Sequence, residues 1–375
     1  MDLICDKILC VQEKPKEPWK LFFGDTGHFI RVDRVDYPVF QRLYEKGFAD
    51  FWTWKVVDFS KDRIGWDSLP ENAKRMFLLN NGYQTLMDSG VYNSYFDLLK
   101  ITSNSELATL YGFIGQQEQI HANSYSYGLS QMFGHEAEEK IDIVYQDEFI
   151  KRRLENEVNF EYELYSLVKQ NIINDDTKKA LLKTIYATYY LEHTKFPFSF
   201  NVTWSINDAF NNAIQGFSQI LKLIAYDELT THTPTNMNVL KILMREDRQG
   251  FKHLKSWFED FVYSYTDEQA KIEKEWNEYL HKDGSIPGFT KESGNYFIEY
   301  MADKTLKDLG LEPIFKVKKT SLIDWFNNYY DINKQQNASQ ELSNISYQKG
   351  VLKNDLNKLN NINEISNLEN IVQII

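Results

Sequence analysis

Acidic side chains stand in this chain where helical patterning provides no polar surroundings for them. Across residues 74–97, Met76, Phe77, Leu78, Leu79, Leu86, Met87, Val91 and Tyr95 occupy more than one helical face. That is the pattern of a central helix buried on most sides, and Asp88 lies within it. Glu192 has a similar setting, after Tyr189-Tyr190-Leu191 and ahead of Phe196, Phe198 and Phe200. A buried acid unpaired with a metal or cation is costly. Two further acids come with an imidazole. Glu118 and His121 are three residues apart on one helix face, and Glu228 and His232 are four apart on a later helix. Either pair alone fits a solvated helix face as well as a ligand pair. The order Asp, Glu-x-x-His, Glu, Glu-His is far more specific. A dimetal carboxylate site in a helical bundle takes one carboxylate from each of two helices and a Glu/His pair from each of two others.

The rest of the chain agrees with long helices. Only 17 Gly and 8 Pro occur in 375 residues, which disfavours a turn-rich all-β fold. Helical patterning runs through about 70–100, 105–130, 150–172, 176–200, 208–232, 237–262, 266–280 and 291–309, and residues 1–65 read as loops and short elements. The net charge of −12 repels phosphate backbones and argues against nucleic-acid binding. No apolar run approaches the roughly 20 residues of a membrane span, and no secretory signal is evident at the start. Cys5 and Cys10 are the only cysteines, so a reducing, cytoplasmic setting is expected.

Several stretches together resemble the small, radical-generating subunit of class I ribonucleotide reductase. They are Phe22-Phe23-Gly24, Val57 to Arg63, Tyr83-Gln84-Thr85-Leu86-Met87-Asp88-Ser89, Glu118-Gln119-Ile120-His121-Ala122-Asn123-Ser124-Tyr125, Leu191-Glu192 and Leu223 to Glu228. The resemblance covers about residues 20–325, with a short tail motif. It implies an all-α, ferritin-like helical bundle in residues 1–326, with an N-terminal extension over 1–35. It also implies a flexible C-terminal tail over 327–375. The implied activity is ribonucleoside-diphosphate reduction in company with a large catalytic subunit. In that scheme a dimetal centre and O₂ generate a stable tyrosyl radical, which this subunit stores and passes on. A homodimer is the expected assembly, and two iron ions per chain the expected cofactor, with manganese or a mixed centre using the same ligands.

Carried over position by position, the family's metal ligands fall on Asp88, Glu118, His121, Glu192 and Glu228. The sixth ligand departs from the pattern. Thr231 stands at the expected place and His232 one residue beyond. A single-turn π-bulge would bring His232 to the metal; otherwise His232 points away and the site is altered. The resemblance puts the radical on Tyr125, with Phe196, Phe200 and Ile224 walling its pocket. It assigns electron relay to Trp52, with Trp54 as rival, and has Asp227 bonding both His121 and Trp52. It matches Tyr347 to a tail tyrosine that carries the radical onward.

Beyond an Asn-, Gln- and Ser-rich stretch over 327–350, Leu352, Leu356, Leu359, Ile362, Ile365, Leu368 and Ile371 recur every three or four residues. This amphipathic segment either packs on its own core or docks into the large subunit. A ferritin-like di-iron oxygenase or oxidase acting on a small apolar substrate shares the ligand set and is the alternative function. An iron-storage or scaffold protein has no use for Trp52, Asp227 and Tyr347 together.

Overall fold

A computed structural model describes residues 18–24, 35–145, 147–171 and 173–330. Among them no β-strand forms, only isolated bridges between Phe22 and Thr102 and between Ile286 and Phe289. The helices are α1 (Pro38–Ala49), α2 (Ser60–Ser68), α3 (Glu71–Ile101), α4 (Ser105–Phe133), α5 (Ala137–Tyr145), α6 (Glu148–Lys169) and α7 (Asp175–Tyr190). They continue as α8 (Phe196–Ala209), α9 (Gln215–Asp227), α10 (Thr233–Arg245), α11 (Lys255–Leu280), α12 (Lys291–Asp308) and α13 (Ser321–Tyr330). No helix among the described residues is long and apolar enough to cross a membrane.

Local chemistry sets several of the boundaries. Asn104 accepts the Leu107 N–H at 2.9 Å and starts α4. Asn174 with Thr177, and Thr290 with Ser293, form capping boxes at α7 and α12. Gly134, at φ 57°, ends α4 in a conformation that glycine adopts without strain. In α8 every residue from Phe196 to Asn207 is buried, the polar Ser199, Asn201, Thr203, Ser205 and Asn207 included.

Four helical runs surround the interior that carries the acids. α3 and α4 pack along each other, α8 lies against α3, and α9 lies against both α4 and α8. α7 runs into α8, and α9 into α10, through a five-residue π-turn in each case: Leu191–Lys195 and Glu228–His232.

The structure moves several expected boundaries. The 237–262 helix is interrupted: α10 ends at Arg245, and Gly250 at φ 78° stops the chain before α11 begins. There Glu246 and Gln249 bond the Tyr37 hydroxyl, at 2.9 and 2.7 Å. The break expected near residue 204 lies instead at Phe210–Ile214, where Asn211 and Asn212 take φ of 55° and 60°. Asparagine tolerates that region better than most residues. No break separates residues 232 and 237, and α5 occupies a stretch read as loop. Helix α13 continues to Tyr330, past the expected start of the tail at 327. Its Trp325 indole donates to Asp208 at 2.9 Å, and the Tyr329 hydroxyl also donates to Asp208.

The Val57–Arg63 stretch has a structural task. Asp62 of α2 is fully buried and accepts the Gly216 and Phe217 N–H groups at 2.8 and 2.9 Å, capping α9 from another helix. The approach is close enough to require glycine at two points. A Cβ on Gly65 would lie 1.8 Å from the Ala213 carbonyl oxygen, and one on Gly216 would lie 2.9 Å from the Asp62 carboxylate.

Candidate metal centre

Each π-turn ends two residues before a proline, at Pro197 and at Pro234. Proline lacks the N–H that an α-helix would donate to the carbonyl four residues back, and its ring crowds that carbonyl. Widening the preceding turn by one residue relieves the conflict. In the second turn this brings Glu228 and His232, four residues apart, to one inward face. The first turn carries Glu192.

Asp88 of α3, Glu118 and His121 of α4, Glu192, Glu228 and His232 are all at most 1% exposed. His121 Nδ1 lies 3.5 Å from Glu118 Oε2 and 3.3 Å from Glu228 Oε1. His232 Nδ1 lies 3.0 Å from Glu118 Oε1 and 3.1 Å from Glu228 Oε2. Glu118 and Glu228 therefore each turn one oxygen toward either imidazole. Ligating atoms of these four residues all fall within 4.8 Å of one another. Glu192 Oε1 stands 3.9 Å from His232 Nδ1.

The far side of each imidazole is occupied. His121 Nε2 is 3.3 Å from Asp227 Oδ2, and His232 Nε2 is 3.1 Å from Gln117 Oε1. Those contacts fix both rings with Nδ1 toward the carboxylates, the arrangement by which outer residues orient metal-binding histidines.

The acids' own hydrogen bonding is incomplete. Both oxygens of Asp88, Glu118 and Glu228, and Nδ1 of both histidines, are buried with no hydrogen-bond partner. Burial, reinforced by the Glu118 charge, pushes the Asp88 carboxyl well up; burial and then Glu228 do the same to Glu192. For Glu228, burial is outweighed by His232 and His121, and the carboxyl falls to about 2. Both imidazoles are held well above their usual range: burial opposes this, but Asp227, Glu118 and Glu228 outweigh it at His121, and Glu228 and Glu118 at His232. Three acids and two imidazoles with lone pairs unsatisfied, and Glu192 beside them, fit two divalent cations. An oxygen-rich set with one imidazole at either end suits iron or manganese rather than a thiolate-loving metal.

Tyr125, one turn beyond His121, is fully buried and its hydroxyl has no hydrogen-bond partner. Burial, then the charge of Asp88, pushes its phenol well above the usual range. Phe196, Phe200 and Ile224 are fully buried as well. The Trp52 indole donates to Asp227 Oδ2 at 2.7 Å, the same oxygen that faces His121, and the Trp52 and His121 rings stack at 5.8 Å. Trp54 opens a short 3₁₀ turn and is only partly buried. His193 turns away from the acids, to Thr305 at 2.7 Å and Asp308 at 3.1 Å. Tyr347 and the stripe from Leu352 to Ile371 lie outside the described residues.

Sequence reasoning missed three partners of the centre. Gln117 is the stop for His232. Tyr95 donates to Glu192 Oε1 at 2.7 Å, and Asn236 Nδ2 reaches Glu192 Oε2 at 3.1 Å. A signal existed for two of them: Tyr95 is two turns beyond Asp88 and Asn236 one turn beyond His232, so both continue a ligand-bearing face.

The family model described as ribonucleotide reductase, small chain, matches residues 30–321. The ribonucleoside-diphosphate reductase 1 subunit beta of Salmonella typhimurium is 29% identical over 359 residues, covering 91% of this chain and 94% of its own. The subunit beta of Enterobacteria phage T4 is 25% identical, covering 90% and 93%. Among solved structures, the R2 subunit from Clostridium botulinum has a TM-score of 0.76 at 20% identity, covering 88% of this chain and 99% of its own. The dimanganese(II)-NrdF of Streptococcus sanguinis has a TM-score of 0.64 at 21% identity, covering 81% and 99%. These two structural likenesses establish the all-helical fold.

Proposed function

Because the chain belongs to the ribonucleotide reductase small-chain family, we propose that it is the radical-generating subunit of a ribonucleoside-diphosphate reductase. In this reading Asp88, Glu118, His121, Glu192, Glu228 and His232 would together hold a pair of metal ions. Two iron ions are the default, and two manganese ions would suit the same donors. With O₂, such a centre supplies the oxidising equivalent that turns Tyr125 into a stable radical.

The chain's own residues do the rest. Burial of Tyr125 excludes water that would quench a phenoxyl. Asp227 Oδ2 fixes the His121 ring and accepts the Trp52 indole proton across 2.7 Å, which is within reach for proton transfer when Trp52 gives up an electron. Tyr347, in the tail, then carries the radical to a separate large subunit that reduces the nucleotide. We place the protein in the cytoplasm, as a homodimer that binds the large subunit through its C-terminal tail, residues 327–375.

The observation that carries this reading is the single Asp227 oxygen shared between Trp52 and His121. A dimetal oxygenase needs no tryptophan wired to its ligand. It needs substrate space, and the cavity that reaches Glu192 and Glu228 has a volume of about 100 Å³. That is smaller than the roughly 150 Å³ of an apolar cavity that takes up benzene. The test is to load the protein with ferrous iron without oxygen, admit O₂, and record absorption and paramagnetic-resonance spectra. A tyrosyl signal in the parent protein that disappears in Tyr125→Phe is expected. A fully loaded protein that never forms a tyrosyl radical would refute the reading.

A further inference from the structure

Tyr95 is a buried phenol whose hydrogen-bond acceptor is an acid of the centre, Glu192. The hydroxyls of Tyr83, Tyr111, Tyr125, Tyr189 and Tyr190 have no hydrogen-bond partner. The Tyr95 hydroxyl donates to Glu192 Oε1 at 2.7 Å and accepts from Asn236 Nδ2 at 2.9 Å. Asn236 also holds the other Glu192 oxygen, at 3.1 Å, so the three side chains close a triangle. The Tyr95 ring lies 6.2 Å from that of His232, nearly edge-on, and is fully buried. One phenol, Tyr125, thus sits under the influence of Asp88, and a second is bonded to the acid at the His232 end.

Resting on the radical-generating role proposed above, we propose that Tyr95 is a second oxidisable phenol of the centre, one that is oxidised when Tyr125 is unable to react. A neutral phenol loses an electron readily only if its proton has somewhere to go. For Tyr95 the acceptor is already in place, at a distance suited to transfer. In the step, the Tyr95 O–H bond breaks and the proton passes to Glu192 Oε1. One electron passes to the O₂-oxidised dimetal centre, which is reduced by one equivalent, and a neutral phenoxyl remains on Tyr95. Asn236 continues to donate to the phenoxyl oxygen. Tyr111 is the neighbour most able to compete, with its ring centre 5.4 Å from that of Tyr95. Its buried hydroxyl lacks an acceptor, so the radical stays on Tyr95.

The experiment compares the full-length parent, Tyr125→Phe and Tyr125→Phe/Tyr95→Phe. Each is loaded with ferrous iron, assayed for metal content, mixed with O₂ and frozen at intervals for paramagnetic resonance. Tyr125→Phe should give a transient tyrosyl signal that narrows when the protein is made with ring-deuterated tyrosine. The double variant should lose it. Asn236→Leu in the Tyr125→Phe background should raise the largest g-value of the signal, because a donor to the phenoxyl oxygen has gone; this arm serves if the double variant fails to take up metal. Three results overturn Tyr95 alone while the parent still forms its radical: no tyrosyl signal in loaded Tyr125→Phe, an unchanged signal in the loaded double variant, or a g-value indifferent to Asn236. A loaded parent with no tyrosyl signal removes the oxidant and overturns both this proposal and the functional reading.

Discussion

Lys195 closes the π-turn that carries Glu192, and removing its charge tests how that turn is held. The Lys195 ammonium is fully buried; it donates to the Arg153 carbonyl at 3.0 Å and to the Glu157 carboxylate. Glu157, 6% exposed, has one further donor at the same oxygen, the Tyr265 hydroxyl at 3.0 Å. In Lys195→Met the stem still fills its space, but Glu157 is left buried with only the Tyr265 phenol as donor. Breaking a buried pair on one side costs about 3–5 kcal/mol, whereas replacing both partners by apolar groups is often neutral. With an unfolding entropy of roughly 2.1 cal/mol/K per residue, that loss over 375 residues lowers the melting temperature by about 4–6 °C. Lys195→Met/Glu157→Leu should recover most of it. The assay is thermal and urea unfolding of the parent, both single variants and the double, read as a double-mutant cycle. A double variant no more stable than Lys195→Met would refute the argument that an unpaired Glu157 is what destabilises the single variant.

Three further outcomes are expected. Glu118→Ala removes a carboxylate that faces both imidazoles, so it should abolish binding of the metal pair while leaving a helical protein, measured by metal analysis and circular dichroism; normal stoichiometry would remove Glu118 from the ligand set. Burial raises the Asp62 carboxyl from its ordinary 3.8 to about 6, against the pull of the two α9 N–H groups. The folded protein therefore holds this proton more tightly than the unfolded chain, and stability falls as pH rises from about 4 to about 6, by at most about 3 kcal/mol. Asp62→Asn should flatten that part of the stability–pH curve, and an unchanged slope would assign it to other groups. Deleting residues 351–375 should leave the Tyr125 radical intact and severely weaken binding to the large subunit, measured by calorimetry; full affinity would make the amphipathic segment structural.

The acids of the centre were legible because charge in an apolar helix is a local contradiction that one sequence can display. Asp88 amid Leu86, Met87 and Val91 needs no alignment to stand out. The π-turn at Glu228–His232 was legible from spacing: the pair stands four residues apart where the pattern has three, and a residue inserted in the turn is one way to bring His232 to the metal. Its counterpart at Leu191–Lys195 was not, because Glu192 has no spaced partner to betray it. Pro197 and Pro234, each two residues past the end of a π-turn, carried the missing signal. The loop over 246–254 escaped notice because its cause is remote: Tyr37 collects Glu246 and Gln249 from far along the chain. Gln117 is a neutral side chain of common type that only its contact with His232 marks, whereas Tyr95 and Asn236 had the weak signal of continuing a ligand-bearing face.

Helix α9 is gripped at both ends by one short stretch of chain. Trp52 holds Asp227 at its C-terminal end, and Asp62, ten residues further on, holds the N–H groups of Gly216 and Phe217 at its start. A 13-residue helix is about 20 Å long, so the 52–62 segment spans the helix like a bracket around a strut. Shear between bracket and strut must break a fastening at one end or the other. Whatever disturbs the loop around Trp52 therefore displaces Asp227, and Glu228 next to it, as part of one rigid lever instead of bending the helix between them.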